Sequence, residues 1–565
     1  MEKVDILIKN VNVFNTYLKK FVNADVSVLG DRFYYIDRKH SEAFDAKEVI
    51  DGTGKYMVPG LIDIHMHVES SMMTPIPFGD CVLKYGVTTL VAEPHEIANV
   101  KGIRGILEMI SAAQESQIDI YYGIPSSVPS TNENLETTGD KIDFSAMKHL
   151  MQEKDVICVG EVMNYRQIIH ENNLEISKFI SYLRQEEPNF IIEGHCPSLV
   201  DLDLAKFLYL GIDADHTEHT LEEFRQRVEN GMFMEIQDKM LKPEILEYVK
   251  ENNLYEHCCF VTDDTMADTL YEKGQLNYVV QNAIDLGFGF EDAVYCATYT
   301  PSRRMKLTDR GSIAPGKLAD FMLLDSKNLL KPSAVFKRGK AVREIGHSYR
   351  FPKDFYESVH LPKLDPSMFS VKIDEDVEEV QVRVIEIFPD RTQTKEKIVT
   401  MKVKDHMLQW QDSECRLAMV FERHGKNGNI GYGFITGSCH KTGTVATTYF
   451  HDHHNLFVAG DDPRDMYIAV KEIQEMQGGV ITVKDGKVDS RLQLPVCGIL
   501  SEKPISEIAA GLKSVINSMT EYGYNHMNPI MSLGTLGLPV SPALKLTDKG
   551  LIDVKGEKIV PICVK

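Results

Sequence analysis

Residues 61–287 repeat one unit, an apolar strand followed by a polar loop and an amphipathic helix, and this repetition constrains the fold most. Short apolar runs predict strands at 61–65, 88–94, 118–124, 155–161, 189–195, 211–216, 231–236 and 259–264. Helix-compatible segments lie between them at 98–115, 174–187, 201–210, 220–230, 242–252 and 275–287. Eight such units over roughly 230 residues predict an α/β fold of the (β/α)₈ TIM barrel class. An open doubly wound sheet would also fit the alternation, but no Gly-rich phosphate loop follows the first strand.

The segments on either side of the repeat have a different texture. The first fifty residues alternate apolar and polar positions, which predicts half-buried strands of an antiparallel sheet. We expect 305–350 to pair with 1–58 in one composite, β-sandwich-like domain that flanks a barrel at 59–304. Prolines indicate a linker at 351–369. Strand and helix patterns predict a further α/β domain at 370–565.

Composition excludes several classes of protein. A chain of 565 residues corresponds to about three to five folding units. The 62 basic and 83 acidic residues give a net charge of −21, so we expect neither a nucleic-acid nor a membrane partner. The first residues lack a signal-peptide layout and no apolar run approaches the roughly 20 residues of a membrane span, which predicts a cytoplasmic protein. We also expect a homo-oligomer. Ten cysteines without a CxxC pair indicate buried packing rather than a zinc ribbon or a disulfide framework.

Residues that commonly bind metals occur where the predicted barrel strands end. His65 and His67, spaced i, i+2 in LIDIHMH, point to the same face of an extended strand and can hold one ion. Four more follow later strands: Glu161, His195, His216 and Asp263. Because the carboxyl ends of barrel strands converge on one rim, we expect these side chains to meet there.

Each of these residues has a plainer structural interpretation. Glu161 could cap the following helix, and His195 could be a hydrogen-bonded core histidine. His216 competes with His219, and one of the two is expected at the surface. Asp264 is suited to capping a helix. We therefore choose Asp263, which leaves the last strand first.

The predicted ligand set favours metal-assisted hydrolysis. Imidazoles and carboxylates suit Zn²⁺, Mn²⁺ or Fe²⁺, and a bridging Glu can hold two ions about 3.5–4 Å apart. Two such ions activate a shared water towards an electron-poor carbon, and Asp263 can pass the proton to the leaving group. The sequence offers no Ser-His-Asp layout, phosphate loop or base-stacking platform as a competing chemistry.

In combination, these motifs resemble the amidohydrolase superfamily and, within it, the adenine deaminase family. The segments that carry the likeness are PGLIDIHMHVESSMMTP, TTLVAEPHEIANV, GEVMN, IGYGFITG, HDHHNLFVAGDD and LPVSPALKLTDKGLIDV, and they span the barrel and the C-terminal domain. The resemblance implies two divalent ions, Mn²⁺ first with Fe²⁺ or Zn²⁺ as alternatives. It also implies a small purine substrate, since adenine is hydrolysed to hypoxanthine and ammonia in purine salvage.

The resemblance also implies roles for individual residues. His65 and His67 would hold one ion, Glu161 would bridge, and His195 and His216 would hold the second. Asp263 would bind metal and shuttle protons. Two further residues come from the PHEIANV segment: His95 is assigned to substrate binding and Glu96 to an acid role towards the ring. A plain helix-initiating carboxylate is the alternative for Glu96.

The sequence also departs from the family pattern. The loops DADHTEHT, MEIQDKMLKP and TMADTL differ at the barrel mouth, where substrate is selected. They leave open another amino-heterocycle, a cyclic-amide hydrolase or a non-catalytic metal-binding homologue. A strand-four Glu161 where cyclic-amide hydrolases commonly carry a lysine argues against the second.

The C-terminal domain contains its own histidine-rich segment, HDHHN, beside the Gly-rich IGYGFITG. His451, Asp452 and His454 are predicted either as an accessory metal site or as a lid contact with the barrel mouth. The alternative is a turn of exposed histidines. Gly425, Gly428, Gly431 and Gly433 indicate tight turns, because their spacing is not that of a nucleotide-binding loop.

Overall fold

The computed structural model describes residues 1–38, 41–171, 174–343 and 348–564. Its central feature is a curled parallel sheet in two parts, of five and three strands, and an isolated parallel bridge between Met66 and Asp263 links the two ends. The chain has a TIM-barrel-like α/β fold, as predicted. Barrel strands 1 to 8 are, in order, Leu61–Met66, Val87–Ala92, Asp119–Ile124, Val156–Val162, Ile191–Gly194, Ala214–Asp215, Phe233–Ile236 and Cys258–Phe260.

Helices follow these strands and cover the outside of the sheet. Each helix-compatible segment named from the sequence contains a helix whose ends lie within a few residues of the prediction. Local signals fix some of the ends: Thr220 and Glu223 form a capping box at the start of Leu221–Glu229. The helices from the barrel region are Pro75–Leu83, His95–Ala113, Phe144–Leu150, Tyr165–Ile168, Glu175–Glu186, Asp201–Tyr209, Leu221–Glu229, Pro243–Glu251, Ala267–Lys273, Leu276–Asp285 and Phe290–Arg304.

An eight-stranded sheet flanks the barrel and takes strands from both sides of it. Phe321–Leu324 pairs antiparallel with Tyr56–Pro59, directly before barrel strand 1. The chain therefore enters and leaves the barrel through one sheet. Its strands are Glu2–Asn15, Lys20–Leu29, Arg32–Asp37, Phe44–Asp51, Tyr56–Pro59, Phe321–Leu324, Pro332–Lys337 and Lys340–Ala341.

The C-terminal part is built on a nine-stranded, largely antiparallel sheet. Of the four glycines predicted in tight turns, Gly425 and Gly428 precede the strand and have positive φ (76° and 68°), whereas Gly431 and Gly433 lie in the strand Ile430–Gly437 within that sheet. A Cβ at Gly431 would lie 1.9 Å from the Thr547 carbonyl oxygen, so glycine is required where the backbones approach. The strands are Glu379–Ile387, Lys395–Lys404, Met407–Leu408, Arg416–Phe421, Ile430–Gly437, Thr444–Thr447, Leu456–Gly460, Gly479–Lys484 and Lys487–Gln493.

Shorter elements complete the C-terminal part and the connections. Leu544–Thr547, Gly550–Asp553 and Lys558–Val560 form a small antiparallel sheet. The C-terminal helices are Pro463–Met476, Ile505–Glu521 and Pro529–Gly534. Single 3₁₀ turns occur at Ser41–Ala43, Val68–Ser71, Asp238–Met240, Lys353–Phe355, Pro366–Met368, Trp410–Asp412 and Thr535–Gly537.

The apolar core runs without interruption from the barrel into the C-terminal part, since one cluster of buried side chains includes residues of both. Polar contacts cross the same boundary: Thr137 donates through its backbone N and its Oγ1 to the Asp548 carboxylate at 2.9 and 2.7 Å. Nine of the ten cysteines are buried, which fits their predicted packing role. Among the described residues, no helix is long and apolar enough to cross a membrane.

Candidate metal centre and active site

The two histidines of the HxH motif lie side by side at the end of barrel strand 1, and both are buried. His67 Nε2 is 3.5 Å from Glu161 Oε1 and 3.5 Å from Asp263 Oδ1, and His65 Nε2 is 3.7 Å from the same Asp263 oxygen. Asp263 has a left-handed backbone (φ 59°), and its N–H donates to the His65 carbonyl at 3.0 Å. The ends of strands 1, 4 and 8 thus meet, as the barrel rim requires.

Glu161, at the end of strand 4, is the side chain that joins the two halves of the cluster. Its Oε1 is 3.5 Å from both His67 Nε2 and His95 Nδ1. Its Oε2 accepts from His195 Nδ1 at 2.7 Å and lies 3.3 Å from His216 Nε2. Each carboxylate oxygen therefore serves a different pair of histidines. The helix-cap alternative for Glu161 is wrong, because the side chain lies among the histidines.

His216, and not His219, belongs to this cluster. The His216 ring stacks on His65 with centroids 3.7 Å apart. The expectation that one of the two histidines lies at the surface is wrong, because both are buried. His219 instead contacts Asp215 through Nε2 at 2.8 Å, and the same carboxylate accepts from the buried Arg227 at 2.8 Å. A buried anion needs such partners, and they hold His219 away from the rim.

Asp264, weighed against Asp263 for the site, is exposed and accepts from Ser70 Oγ. It does not cap a helix: the next helix begins at Ala267, with Met266 at the cap position. The choice between the two neighbouring aspartates thus agrees with the contacts, since Asp263 is the one within 4 Å of both strand 1 histidines.

Sequence reasoning missed Glu93, whose carboxylate is hydrogen-bonded to the backbone of Glu161. Glu93 lies just after barrel strand 2, is buried, and accepts from the Glu161 backbone N at 3.0 Å. A Cβ at Gly160 would lie 1.5 Å from Glu93 Oε2, so the Glu93 carboxylate has room only because residue 160 is a glycine. The signal was available, because Glu93 ends a barrel strand just as Glu161 does.

The electrostatics favour metal-binding protonation states at His65 and at the two carboxylates, but not at His67 and His216. Burial alone would lower the pKa of these two imidazoles, but contact with Asp263 raises the pKa of His67 well above its usual value, and contact with Glu161 raises that of His216 to about 9. Burial and the neighbouring His216 lower the pKa of His65 to about 4, which keeps this imidazole neutral. Burial would raise the pKa of Glu161, but contact with His195 holds it well below its usual value. Burial acts in the same direction on Asp263, and His65 and His67 lower its pKa well below the usual value. Neutral imidazoles and ionised carboxylates are the forms that bind divalent metals.

The donor set fits a divalent metal. His65 Nε2 is buried without a hydrogen-bond partner among the described residues, although it faces a carboxylate. Such an orphaned nitrogen is costly unless a ligand satisfies it. Groups with ligand atoms within 4.8 Å of one another are His65/His216/Asp263, His65/His67/Glu161, Glu161/His195/His216, His67/Asp263/Asp264 and His95/Glu96/Asp452.

The HDHHN segment reaches the barrel rim from the C-terminal sheet. His451 Nδ1 is 2.5 Å from Glu96 Oε1, and His454 Nε2 contacts Glu96 Oε2. All residues of this segment are buried, so the alternative of an exposed turn is wrong. Glu96 lies in the first turn of His95–Ala113, where the helix-initiating alternative also placed it. The segment therefore contacts Glu96 at the barrel mouth, in agreement with one of the two functional alternatives given for it from the sequence.

Comparison with known proteins agrees with this geometry. Residues 56–344 match the model of the amidohydrolase family, and this match defines the class to which the chain belongs. Residues 391–558 match the adenine deaminase C-terminal domain. An adenine deaminase of Clostridium perfringens is 46% identical over 570 residues, covering 99% of this chain and 100% of that protein. Adenine deaminase 2 of Shouchella clausii is 46% identical, covering 99% of each. The chain belongs to the adenine deaminase family.

Solved structures resemble part of the chain. A crystal structure described as an adenine deaminase has a TM-score of 0.46 at 16% identity, covering 60% of this chain and 100% of that one. A β-aspartyl dipeptidase from Fervidobacterium islandicum has a TM-score of 0.47 at 16% identity, covering 62% of this chain and 100% of that one.

Proposed function

We propose that this protein hydrolyses adenine to hypoxanthine and ammonia at the rim of its barrel. The observation that carries the proposal is the Glu161 carboxylate, whose two oxygens face different histidine pairs at the point where the strand ends meet. Relatives that match nearly the whole chain at 46% identity bear the name adenine deaminase, which supports adenine as the substrate.

We assign the metal ligands as two groups that share Glu161. His65, His67 and Asp263 would hold one divalent ion, and His195 and His216 would hold the second. Bound ions of this kind act as Lewis acids and lower the pKa of water. We propose Mn²⁺, which the resemblance to the adenine deaminase family places first; imidazole and carboxylate donors without thiolate are compatible with it, as they are with Fe²⁺ and Zn²⁺. The Cys196 sulfur, next to His195 in the sequence, contacts Asp215 at 3.1 Å.

The chain's own residues then manage the protons. Asp263, an ionised and largely buried carboxylate, takes a proton from the attacking water and delivers it to the departing amino nitrogen. The C6–O bond forms, the C6–N bond breaks, ammonia leaves, and the second proton of the water ends on ring nitrogen N1 of hypoxanthine. Glu161 holds the four histidines that it contacts in position. Burial of His65, His67, Glu161 and His216 keeps most bulk water away from their charge interactions and so strengthens them.

Glu96 is better suited to accept hydrogen bonds than to donate a proton. Burial alone would raise its pKa, but His451 and His454 hold the pKa well below its usual value. The environment therefore disfavours the acid role expected from the sequence. We propose that Glu96 orients the substrate as an anion and that His95, 3.5 Å from Glu161, lines the pocket beside it.

Several finer assignments belong to the same proposal. We place the reaction in purine salvage in the cytoplasm, carried out by a homo-oligomer. We divide the chain into a composite β domain (1–58 with 305–350), a barrel (59–304), a linker (351–369) and a C-terminal domain (370–565). Antiparallel pairing of Phe321–Leu324 with Tyr56–Pro59 supports the composite domain.

Metal removal and reloading tests the function. The full chain is stripped with a chelator and reloaded with Mn²⁺, Fe²⁺ or Zn²⁺, and ammonia release and the ultraviolet change are followed with adenine, other amino-heterocycles and cyclic amides. We expect the stripped protein to be inactive and Mn²⁺ to restore adenine turnover. A fully loaded protein that leaves adenine unchanged would overturn the proposal, whereas turnover of a cyclic amide alone would reassign the reaction.

A further inference from the structure

The segment Thr448–Asn455 of the C-terminal sheet, hereafter the histidine loop, is packed against the barrel rim. Its side chains are buried, and its ring contacts form a continuous surface: Tyr449 and His451 lie with centroids 4.8 Å apart, and His451 and His454 lie 5.6 Å apart. Connection to the metal cluster runs through His95, whose ring is 4.7 Å from that of His67. The histidine loop thus lies one residue away from the predicted ligands.

Four polar atoms of this loop are buried without a hydrogen-bond partner in the described part of the chain. They are the Tyr449 hydroxyl, His451 Nε2, Asp452 Oδ2 and His453 Nε2. Their residues are 0%, 5%, 2% and 0% exposed. Leaving one such atom unsatisfied costs about 1–3 kcal/mol, so four in one loop indicate a ligand, and Tyr449, His451 and Asp452 carry three of these atoms.

His451 and Asp452 lie close to the Glu96 carboxylate, which the loop also contacts. Asp452 has a ligand-type oxygen within 4.8 Å of atoms of His95 and Glu96. The tautomer of His454 follows from its contacts: Nδ1 accepts from the Phe450 backbone N at 3.2 Å, so Nε2 carries the proton and donates to Glu96. His454 therefore acts on Glu96 rather than on a ligand.

We propose that the histidine loop completes the substrate pocket, with Tyr449, His451 and Asp452 contacting the edge of the purine ring and His454 positioning Glu96. The inference rests on the proposed function. A purine offers ring nitrogens that accept hydrogen bonds and an N–H that donates one. A hydroxyl and an imidazole can satisfy the acceptors, and a carboxylate can accept from the N–H. The C-terminal domain is then part of the recognition machinery.

The test compares full-length, Mn²⁺-loaded variants. Asp452→Asn and Tyr449→Phe remove single polar functions with little change of shape. His454→Asn retains an acceptor for the Phe450 N–H but cannot reach Glu96. Tyr524→Phe is the matched control, because Tyr524 is equally buried in the same domain and its hydroxyl lies 3.1 Å from Ser532 Oγ.

We measure kcat and KM for adenine, metal content, and the Kd of unsubstituted purine, which lacks the amino group and does not react. Loss of one buried polar contact corresponds to roughly a tenfold weaker interaction. We therefore expect Asp452→Asn and Tyr449→Phe to raise KM and the purine Kd by about tenfold or more, with metal content unchanged. His454→Asn should raise KM while the control stays within about twofold of wild type.

Three results would overturn the inference. The first is KM and Kd values within twofold of wild type in all three loop variants. The second is loss of one metal equivalent in Asp452→Asn, which would make His95, Glu96 and Asp452 a metal site. The third is a wild-type protein that binds no purine. Wild-type protein that binds purine but leaves adenine unchanged would refute only the proposed reaction. The differences in purine Kd between wild type and the loop variants would still support the pocket.

Discussion

Replacement of Glu161 by glutamine removes one charge from the centre of the cluster while retaining the shape of the side chain. The four imidazole contacts of this carboxylate span 2.7–3.5 Å. Two unit charges about 4 Å apart have an interaction energy of about 4 kcal/mol at the effective dielectric constant near a protein surface. Since 1.36 kcal/mol is a factor of ten, we expect a loss of about a thousandfold in metal retention or activity.

The assay for Glu161→Gln measures metal ions per chain after dialysis, together with adenine turnover at a fixed Mn²⁺ concentration. Glu244→Gln provides the matched control, because Glu244 is exposed in the first turn of Pro243–Glu251. We expect the control to match wild type in both measurements. The glutamine variant should lose ions and nearly all activity, with its circular dichroism unchanged. If it keeps two ions and more than a tenth of the wild-type turnover, the bridging assignment of Glu161 is refuted.

Three further substitutions test the surroundings of the site. Gly160→Ala should lower metal content and activity at least tenfold, because its Cβ would overlap the buried carboxylate above it; wild-type activity would contradict this. Arg227→Met should lower the free energy of unfolding by about 3–5 kcal/mol in denaturant titrations, because it removes the guanidinium partner of the buried Asp215 carboxylate. Arg225→Met in the same helix removes only a surface ion pair and should change the free energy of unfolding by less than about 1 kcal/mol. Burial lowers the pKa of Lys545 to about 7, so between pH 7 and 10 the unfolded chain binds a proton that the folded chain does not. The free energy of unfolding of the wild type should therefore rise with pH over that range relative to Lys545→Met. A difference between the two proteins that stays constant with pH would refute the lowered pKa.

The barrel and most of its ligand set could be predicted because both follow from local patterns. Strand and helix periodicity repeats along the chain. Because the carboxyl ends of barrel strands converge, residues that end different strands are predicted to lie together at one rim. His65 and His67 are neighbours in sequence, so their shared orientation is already determined by the geometry of one strand. His216 is predicted as the ligand because it directly follows strand 6. The contacts that hold His219 away from the rim, with Asp215 and through it with Arg227, are tertiary contacts that the sequence pattern does not show.

The IGYGFITG prediction failed for a related reason. Glycine indicates a turn when only the local sequence is considered, but Gly431 lies in a strand because the Thr547 carbonyl leaves no room for a Cβ. Close approach of two backbones is a property of the tertiary structure, and a single sequence contains no trace of it. The burial of the HDHHN segment was hidden in the same way, since polar residues normally indicate a surface.

The proposed ligands are positioned by buried residues that are not themselves proposed as ligands. Asp215 anchors the loop after strand 5 by accepting from the Cys196 backbone N at 3.3 Å, next to His195. Arg423, fully buried, donates to the His454 carbonyl and to the Cys497 carbonyl at 2.9 Å, which fixes the histidine loop. A charge kept in the interior is costly unless its partners are fixed, so the same contacts that stabilise these groups also restrict the loops that carry the site. The active-site geometry therefore depends on both the barrel and the C-terminal sheet, and a substitution far from the rim can change it when it unpairs one of these buried charges.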